Sequence, residues 1–344
     1  MSARNIQHRG LLTPPDCREP VRGGAFRALK KARVSVHLPY FDVLLERLEQ
    51  SHPALTTAFG RHVHWGYWDR ADQADGSMTD FAQAAERMTR KVCTAAGASN
   101  GERILDVGCG WGGTMASLNE QLCGVALTGL NIDARQLERA ERLVRARASN
   151  VVRFQEGDAC AMPFADGSFD LVIALECAFH FPSRPRFLAE AHRVLCNGGR
   201  LVIADFLPSR VLRPLLGAQE LVLGRYMQHV LGPADASYTS QRYKDAARSA
   251  GLLFSDETDI TARTLPTYPV LRTVAGEMGM YDATARFGVK ALELASRARL
   301  LRYAILTFQR DDQTVPRAIS SAPGGTARRP RAHSESPLPR AEAS

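Results

Sequence analysis

The residues with the clearest chemical meaning lie in the segment ILDVGCGWGGT, residues 104–114. Its four glycines are Gly108, Gly110, Gly112 and Gly113. The first, second and fourth have the GxGxxG spacing that lets a protein backbone approach a nucleotide. Because an ordinary strand-to-helix turn can show the same spacing, the residues around the loop must indicate whether it binds a cofactor, and which one.

Four neighbouring positions separate the candidate cofactors. Asp106 lies within the preceding strand, where a dinucleotide site is usually apolar because a pyrophosphate must approach. A carboxylate there suits a cofactor whose near end is cationic, such as the amino group of a methionine moiety. Asn131 stands where a dinucleotide-binding protein normally has a carboxylate for the ribose. Asp158 and the small Ala159 follow the next strand, where they suit recognition of an adenine edge. The pattern disfavours a nicotinamide cofactor.

Polar residues that could act on a second substrate follow two later strands. His180 comes just after the strand Leu171–Leu175, Glu176 lies between that strand and the histidine, and Asp205 ends the next strand. A histidine at the carboxyl edge of a sheet is suited to remove a proton near neutral pH. The alternatives are that His180 only shapes a pocket and that Asp205 anchors a loop. Glu176 could bind either a cofactor or a substrate.

The run HVHWGYWD, residues 62–69, is the most aromatic stretch of the chain. Aromatic faces attract cations, so Tyr67 and Trp68 are candidates for the wall of a cationic cofactor site. Packing in the core is the alternative for each of them.

The elements that must position these residues alternate between short apolar runs and helical stripes. The predicted strands are Arg103–Val107, Val125–Leu130, Val151–Phe154, Leu171–Leu175, Arg200–Ala204, Leu252–Thr258 and Tyr303–Phe308. The predicted helices between them are Phe81–Ala96, Thr114–Cys123, Arg135–Arg147 and Pro185–Leu195. This alternation predicts an α/β fold with a doubly wound, seven-stranded, mostly parallel sheet.

Further helical stretches do not fit a minimal fold of this kind. One, Pro39–Gln50, precedes the first strand, and others lie at about 211–251 and 269–299. We therefore predict one domain over residues 36–310, with an inserted helical cap at 206–251. Because ligands bind at the carboxyl ends of the strands, these extra segments are candidate pocket walls.

Charge and composition set the terminal segments apart. Of the net charge of +8, the first 35 residues carry +6, whereas residues 36–310 carry +1. We predict disordered arms at residues 1–35 and 311–344. We expect no nucleic-acid partner, because the folded region is nearly neutral. The seven cysteines include no CxxC pair and no apolar signal segment is present, so we expect no metal site, no membrane span and a cytoplasmic location.

The motifs ILDVGCGWGG, GDACAMPF, FDLVIALECAFHF, AEAHRVLCNGGRLVIADF and LRYAILTF occur in this order along the chain. Together they resemble the class I S-adenosylmethionine-dependent methyltransferases, which have a Rossmann-like methyltransferase fold. Within that class the chain is similar to the small-molecule group of the rebeccamycin sugar O-methyltransferase and the tocopherol-type methyltransferases. GCGWGG also looks like the loop of cyclopropane fatty acid synthases. The resemblance implies S-adenosyl-L-methionine as the cofactor.

The resemblance also implies roles for individual residues. Asp106 would lie near the cofactor's amino group, and Gly108, Gly110 and Gly112 would allow close backbone approach. Asn131 replaces the family's ribose carboxylate, and Asp158 and Ala159 would face the adenine. On the acceptor side, His180 and Asp205 would act around the acceptor oxygen, although Phe179 stands where the rebeccamycin-like enzymes have another histidine. Tyr67 and Trp68 would close over the methionine end.

The function implied is methyl transfer to a small-molecule acceptor, most simply a hydroxyl of a sugar, polyketide or aromatic natural-product intermediate, with His180 as the candidate base. One alternative is C- or N-methylation of a quinone, terpenoid or lipid-like acceptor. Another is a non-catalytic protein that binds S-adenosylmethionine. The acceptor and the oligomeric state stay open at this stage.

Overall fold

The structure is a computed structural model that describes residues 38–209, 235, 237–279 and 282–311. Its strands are β1 (Arg103–Val107), β2 (Ala126–Asn131), β3 (Val151–Glu156), β4 (Phe169–Leu175), β5 (Leu195–Pro208), β6 (Leu252–Asp259) and β7 (Leu301–Arg310). The helices, numbered within the described residues, are α1 (Pro39–Glu49), α2 (Pro53–Phe59), α3 (Met78–Ala95), α4 (Gly113–Gln121), α5 (Ala134–Leu143), α6 (Arg184–Val194), α7 (Ser240–Ser249), α8 (Thr261–Thr264), α9 (Thr267–Glu277) and α10 (Ala283–Arg297).

The seven strands form one sheet in the order β3-β2-β1-β4-β5-β7-β6. Strands β1 to β5 pair in parallel, and β7 runs antiparallel to both of its neighbours. This confirms the predicted doubly wound, mostly parallel sheet. After β1 the chain continues to β2, which lies on one side of β1, whereas β4 lies on the other side of β1. The carboxyl ends of β1 and β4 therefore border the switch point where an open α/β sheet binds its ligands.

All seven predicted strands are present, and the differences lie at the element ends. Strand β5 continues to Pro208 because residues 200–208 pair with β7 along their whole length. Helix α5 stops at Leu143, four residues before the predicted end. At that point Val144 adopts an extended conformation and its side chain is buried in the core. The tertiary packing of Val144 thus ends a helix whose local sequence would have continued.

Local signals account for where several helices begin. Proline occupies the first turn of α1 and α2, where a missing N–H carries no penalty. Ser77 caps α3 by accepting a hydrogen bond from the N–H of Asp80, and Thr239 caps α7 in the same way.

Three apolar clusters fill the structure. One lies between the sheet and helices α6 and α7, and a second between the sheet and helices α3 and α4. The third joins α1, α2 and α9 through buried residues that include Leu44, Leu55, Val270 and Val274. Because the third cluster stands at the carboxyl edge of the sheet, α1, α2 and α9 wall the switch point.

Parts of the predicted domain layout lie outside the described residues. These are the N-terminal arm, almost all of the C-terminal tail, and most of the predicted cap. The first residues of that cap, Phe206 to Pro208, belong to β5, and its last part forms α7. None of the described helices is long and apolar enough to cross a bilayer.

Candidate active site

A cavity of about 960 Å³ opens at the carboxyl ends of β1 and β4. Its walls come from the loops after these strands, from α1 and α2, and from α9 and α10. Eight of the residues predicted for the site lie on its wall, namely Asp106, Gly108, Gly110, Asn131, Asp158, Ala159, Glu176 and His180. The remaining four, Gly112, Asp205, Tyr67 and Trp68, do not. In the described residues no group of three or more side chains is placed to hold a metal ion.

The glycines of the loop serve two different purposes. Gly108 lines the cavity with φ of +68°, and a Cβ there would come within 2.6 Å of the Cβ of Cys177. Gly112 is the N-cap of α4 with φ of +82°, and a Cβ there would meet Val144 at 2.9 Å. Gly112 is therefore not among the residues that line the cavity, and its contact with the cofactor stays a prediction. This glycine lets the loop pack on α5, and Gly113 lines the cavity in its place.

Asp106 is a buried carboxyl group for which the described residues provide no ion-pair partner. Its side chain is 2% exposed, and Oδ2 has no hydrogen-bond partner in the described part of the chain. Burial raises the pKa of this carboxyl to about 8. Because a buried carboxylate needs a positive partner, the cavity wall here fits a ligand that carries an ammonium group.

Asn131 and Asp158 lie further along the same wall, and local hydrogen bonds hold both. Asn131 donates from Nδ2 to Oε1 of Gln136 at 3.0 Å and accepts at Oδ1 from the N–H of Asp133 at 3.2 Å. Asp158 accepts at Oδ1 from the N–H of Cys160 at 2.8 Å. These bonds orient the two side chains at the carboxyl ends of β2 and β3, beside the glycine loop.

Glu176 follows β4 in the left-handed backbone region, with φ of +54°. Its Oε2 accepts hydrogen bonds from the N–H of Trp65 and the hydroxyl of Tyr303, both at 2.9 Å. Burial raises the pKa of the Glu176 carboxyl to about 8, although these two donors oppose the rise. A non-glycine residue in this conformation is held by its surroundings, and such residues concentrate at functional sites.

His180 ends a short 3₁₀ turn after β4, where its imidazole faces Tyr40 of α1. The two rings stack with centroids 6.2 Å apart, and Nε2 lies 3.4 Å from the Tyr40 hydroxyl oxygen. Burial and the nearby Glu176 raise the pKa of Tyr40 well above its usual value, so its hydroxyl stays neutral. Tyr40 was not predicted, because nothing local in the sequence indicates that α1 reaches the β4 loop.

Asp205 is not on the cavity wall, and its predicted role beside the acceptor stays a prediction that this placement does not support. It is fully buried, accepts hydrogen bonds from the Tyr243 hydroxyl and the N–H of Phe206, and lies 3.6 Å from the Arg184 guanidinium. Neighbouring residues of a strand point to opposite faces. Phe206 therefore faces the cavity, while Asp205 faces α6 and α7.

The aromatic run divides in an unpredicted way. Trp68 is buried and donates from Nε1 to Asp80 at 2.7 Å, and the Tyr67 ring lies near the ammonium of Lys91. Trp65 is the aromatic residue of this run that lines the cavity. Its ring packs edge-on against Phe206 and Tyr268, each with centroids 4.8 Å away. The cavity wall thus has an aromatic side, but Tyr67 and Trp68 do not form it.

Comparisons with known proteins agree with this geometry. Residues 105–203 match the family model described as a methyltransferase domain. The chain is 32% identical over 253 residues to the methyltransferase GfsG of Streptomyces halstedii, covering 70% of this chain and 86% of that protein. The chain belongs to the class I S-adenosylmethionine-dependent methyltransferases. Its cofactor is accordingly S-adenosyl-L-methionine, as the resemblance implied.

Two further similarities place this methyltransferase among its relatives. It is 34% identical over 232 residues to the 27-O-demethylrifamycin SV methyltransferase of Amycolatopsis mediterranei, covering 66% of this chain and 77% of that protein. The fold resembles the crystal structure of geranyl diphosphate C-methyltransferase from Streptomyces coelicolor, solved with S-adenosyl-L-homocysteine among its ligands. That likeness has a TM-score of 0.57 and 19% identity, and it covers 81% of this chain and all of that one.

Proposed function

We propose that this methyltransferase methylates a hydroxyl group of a small natural-product intermediate, such as a sugar, a polyketide or an aromatic compound, with His180 as the general base. The observation that carries this proposal is the His180 imidazole on the cavity wall, with Nε2 3.4 Å from the Tyr40 hydroxyl. A hydroxyl is a weak nucleophile until it loses its proton, and a neutral imidazole is the side chain best suited to accept one near pH 7.

The residues of the cavity fit the cofactor. The orphaned carboxyl of Asp106 matches an ammonium group, and Asn131 and Asp158 lie where the nucleoside end would extend along β2 and β3. When bound, the cofactor supplies an electrophilic methyl group on a sulfonium, which an attacking atom displaces in line. The task left to the chain is to align the acceptor, exclude water and take up a proton.

His180 and Tyr40 have different roles at the acceptor. The distance of 3.4 Å is long for a hydrogen bond between a hydroxyl and an imidazole, so this contact is weak enough for a substrate hydroxyl to replace it at Nε2. Nε2 of His180 would take up the hydroxyl proton, which leaves the acceptor oxygen with the lone pair that is needed to displace the methyl group from the sulfonium. The Tyr40 ring, stacked on the imidazole, holds His180 in place during this step.

The walls indicate the acceptor's character. Trp65, Phe206 and Tyr268 form an aromatic side, and apolar residues of α9 and α10 continue the wall. Such walls suit a mid-sized, largely apolar acceptor with a few polar groups. The relative whose name gives 27-O-demethylrifamycin SV as its substrate supports an acceptor of this class.

The test has two stages. Calorimetric titration of the wild type with S-adenosylhomocysteine, with NAD as the control ligand, verifies that the preparation binds the cofactor product. Hydroxylated polyketides, aromatic compounds and glycosides are then screened with the wild type, His180→Ala and His192→Ala. His192 lies on α6, away from the cavity wall, and serves as the matched control.

We expect His180→Ala to lower kcat by about 10²- to 10⁴-fold, the usual contribution of a general base. S-adenosylhomocysteine affinity should stay within about twofold, and His192→Ala should behave as wild type. Undiminished O-methylation by His180→Ala would remove the base from the proposal. A product methylated on carbon or nitrogen would favour the alternative reaction, and cofactor binding with no methylated product in the screen would favour a binding protein.

A further inference from the structure

Two histidines of the cavity wall form a hydrogen-bonded chain with a threonine and a carboxylate that lie behind it. His62 and His64 lie between α2 and α3, and Glu86 and Thr89 lie on α3. Nε2 of His62 is 2.8 Å from Oε2 of Glu86, and Nδ1 of the same ring is 3.3 Å from the Thr89 hydroxyl. That hydroxyl is 3.0 Å from Nε2 of His64, whose Nδ1 is 3.0 Å from the carbonyl oxygen of Trp65. Methyl transfer as proposed above does not use this chain.

The partner at each end fixes the tautomer of the adjacent imidazole. Burial pushes the pKa of Glu86 upward, but hydrogen bonds from His62 and Ser117 bring it below the ordinary value, so the group is a carboxylate. Burial lowers the pKa of His62, which favours the neutral ring, and because the Glu86 carboxylate can only accept, we infer that the ring proton is on Nε2. Burial also lowers the pKa of His64 to about 3. Its proton is on Nδ1, because the Trp65 carbonyl can only accept.

Two acceptor nitrogens therefore face one hydroxyl. Nδ1 of His62 and Nε2 of His64 both lack a proton, and Thr89 is the donor that the described residues offer to each of them. We propose that Thr89 is a positioning residue of the methyl-transfer site: its single hydroxyl proton, shared by two imidazoles, holds the backbone of residues 62–65 against α3 so that the N–H of Trp65 meets Glu176.

The segment of residues 62–65 connects both sides of the cavity. The N–H of Trp65 donates to Oε2 of Glu176 at 2.9 Å, and the Trp65 ring forms part of the aromatic wall. On the other side, the His62 imidazole is packed so closely on the first residue of α4 that a Cβ on Gly113 would clash with it. Thr89 itself is fully buried, so it acts on the site only through its two imidazole partners.

The test compares three variants by NMR, without any acceptor. Thr89→Val keeps the side-chain shape and removes the hydroxyl, and Thr89→Ser keeps the hydroxyl. Thr94→Val makes the same change as the first variant at an exposed position in the last turn of α3. Long-range ¹⁵N imidazole spectra report the tautomer of His64. Amide exchange reports the Trp65 N–H, and the Trp68 N–H, which donates to the Arg263 carbonyl, is the internal reference.

We expect the His64 proton on Nδ1 in the wild type. The Trp65 amide should exchange about tenfold faster in Thr89→Val, with Trp68 changed by less than about twofold. Thr89→Ser should restore protection, Thr94→Val should not alter it, and S-adenosylhomocysteine affinity should stay within about twofold in these two variants. Unchanged Trp65 exchange in Thr89→Val, equal loss of protection at Trp65 and Trp68, or a His64 proton on Nε2 would each overturn the proposal. Because no acceptor is needed, this result is independent of the proposed O-methylation.

Discussion

Asp106 shows how a single residue can favour binding of a cationic ligand while it lowers the stability of the ligand-free protein. Its buried carboxyl has no described partner, and burial raises its pKa to about 8 from an ordinary value near 3.8. A group whose folded-state pKa is raised contributes stability below its unfolded pKa, and this contribution is lost as the pH rises through about 8. A cationic ligand opposes this rise in the pKa of Asp106, since its positive charge favours the carboxylate form.

Asp106→Asn should therefore separate binding from stability. We expect about 10- to 100-fold weaker binding of S-adenosylhomocysteine at pH 8, because an amide cannot match the ligand's ammonium group. Wild-type affinity should decrease as the pH falls below about 8, where the carboxyl is protonated, whereas the variant's affinity should vary less over the same range. At pH 9 the ligand-free variant should melt at a higher temperature than the ligand-free wild type. Calorimetry and thermal denaturation between pH 6 and pH 9 provide the measurements.

The control for this experiment is Asp256→Asn, which removes a carboxylate from an exposed position on β6. It should leave both the affinity and its pH dependence unaltered. Wild-type affinity that stays flat from pH 6 to pH 9 would show that Asp106 does not carry the ligand's positive charge.

At the level of single elements, the alternation of β5 decides which of its residues reach the site. Asp205 and Phe206 are neighbours at the carboxyl end of the strand, yet Phe206 lines the cavity and Asp205 is buried with Arg184 and Tyr243. Arg184 also bonds Asp235, whose N–H donates to the Phe179 carbonyl in the loop that carries His180. Asp205 thus belongs to a buried ion-pair cluster behind the β4 loop.

We expect Asp205→Asn to destabilise the protein by about 3 kcal/mol, because a buried guanidinium loses a buried charged partner. Tyr243→Phe removes the hydroxyl that bonds both Asp205 and Arg184, and it should also lower the stability. The folded Asn variant should keep S-adenosylhomocysteine affinity and kcat within about threefold of the wild type. Denaturant unfolding and steady-state rates measure the two effects. A stable Asp205→Asn protein with a kcat as low as that of His180→Ala would return Asp205 to the acceptor site.

The sequence was sufficient to predict the features of the fold and of the site that local sequence patterns determine. Apolar runs located all seven strands, and the rule for parallel sheets placed Asp106, Glu176 and His180 at one edge. The sequence could not show on which face of the sheet the Asp205 side chain lies, because that face depends on the register of β5 with β7. Nor could it show that Tyr40 meets His180, a contact between residues that are 140 positions apart. Trp65 and Trp68 are three residues apart in an irregular segment, where no periodicity indicates which ring faces the cavity.

At the level of the whole molecule, most of the net positive charge lies in a different part of the sequence from the residues of the cavity wall. Residues 1–35 carry a net charge of +6, whereas residues 36–310, which contain every residue assigned to the cavity wall, carry +1. The described cores are formed by residues from Leu38 onward. The composition of both arms, rich in Arg and Pro and poor in long apolar stripes, predicts segments that do not fold on their own.

A truncated chain of residues 35–311 should therefore fold and bind its cofactor as the full chain does. We expect its melting temperature within about 2 °C of the full-length value, since every core residue in the described part of the chain is kept. S-adenosylhomocysteine affinity should agree within about twofold at both low and physiological salt, because the truncated chain keeps every cavity-wall residue that the structure describes. Thermal denaturation and calorimetry at two salt concentrations measure both quantities, and a chain that lacks only residues 312–344 serves as the control for the N-terminal cut. Binding that weakens upon removal of residues 1–34, most strongly at low salt, would instead assign the basic arm a part in holding the ligand.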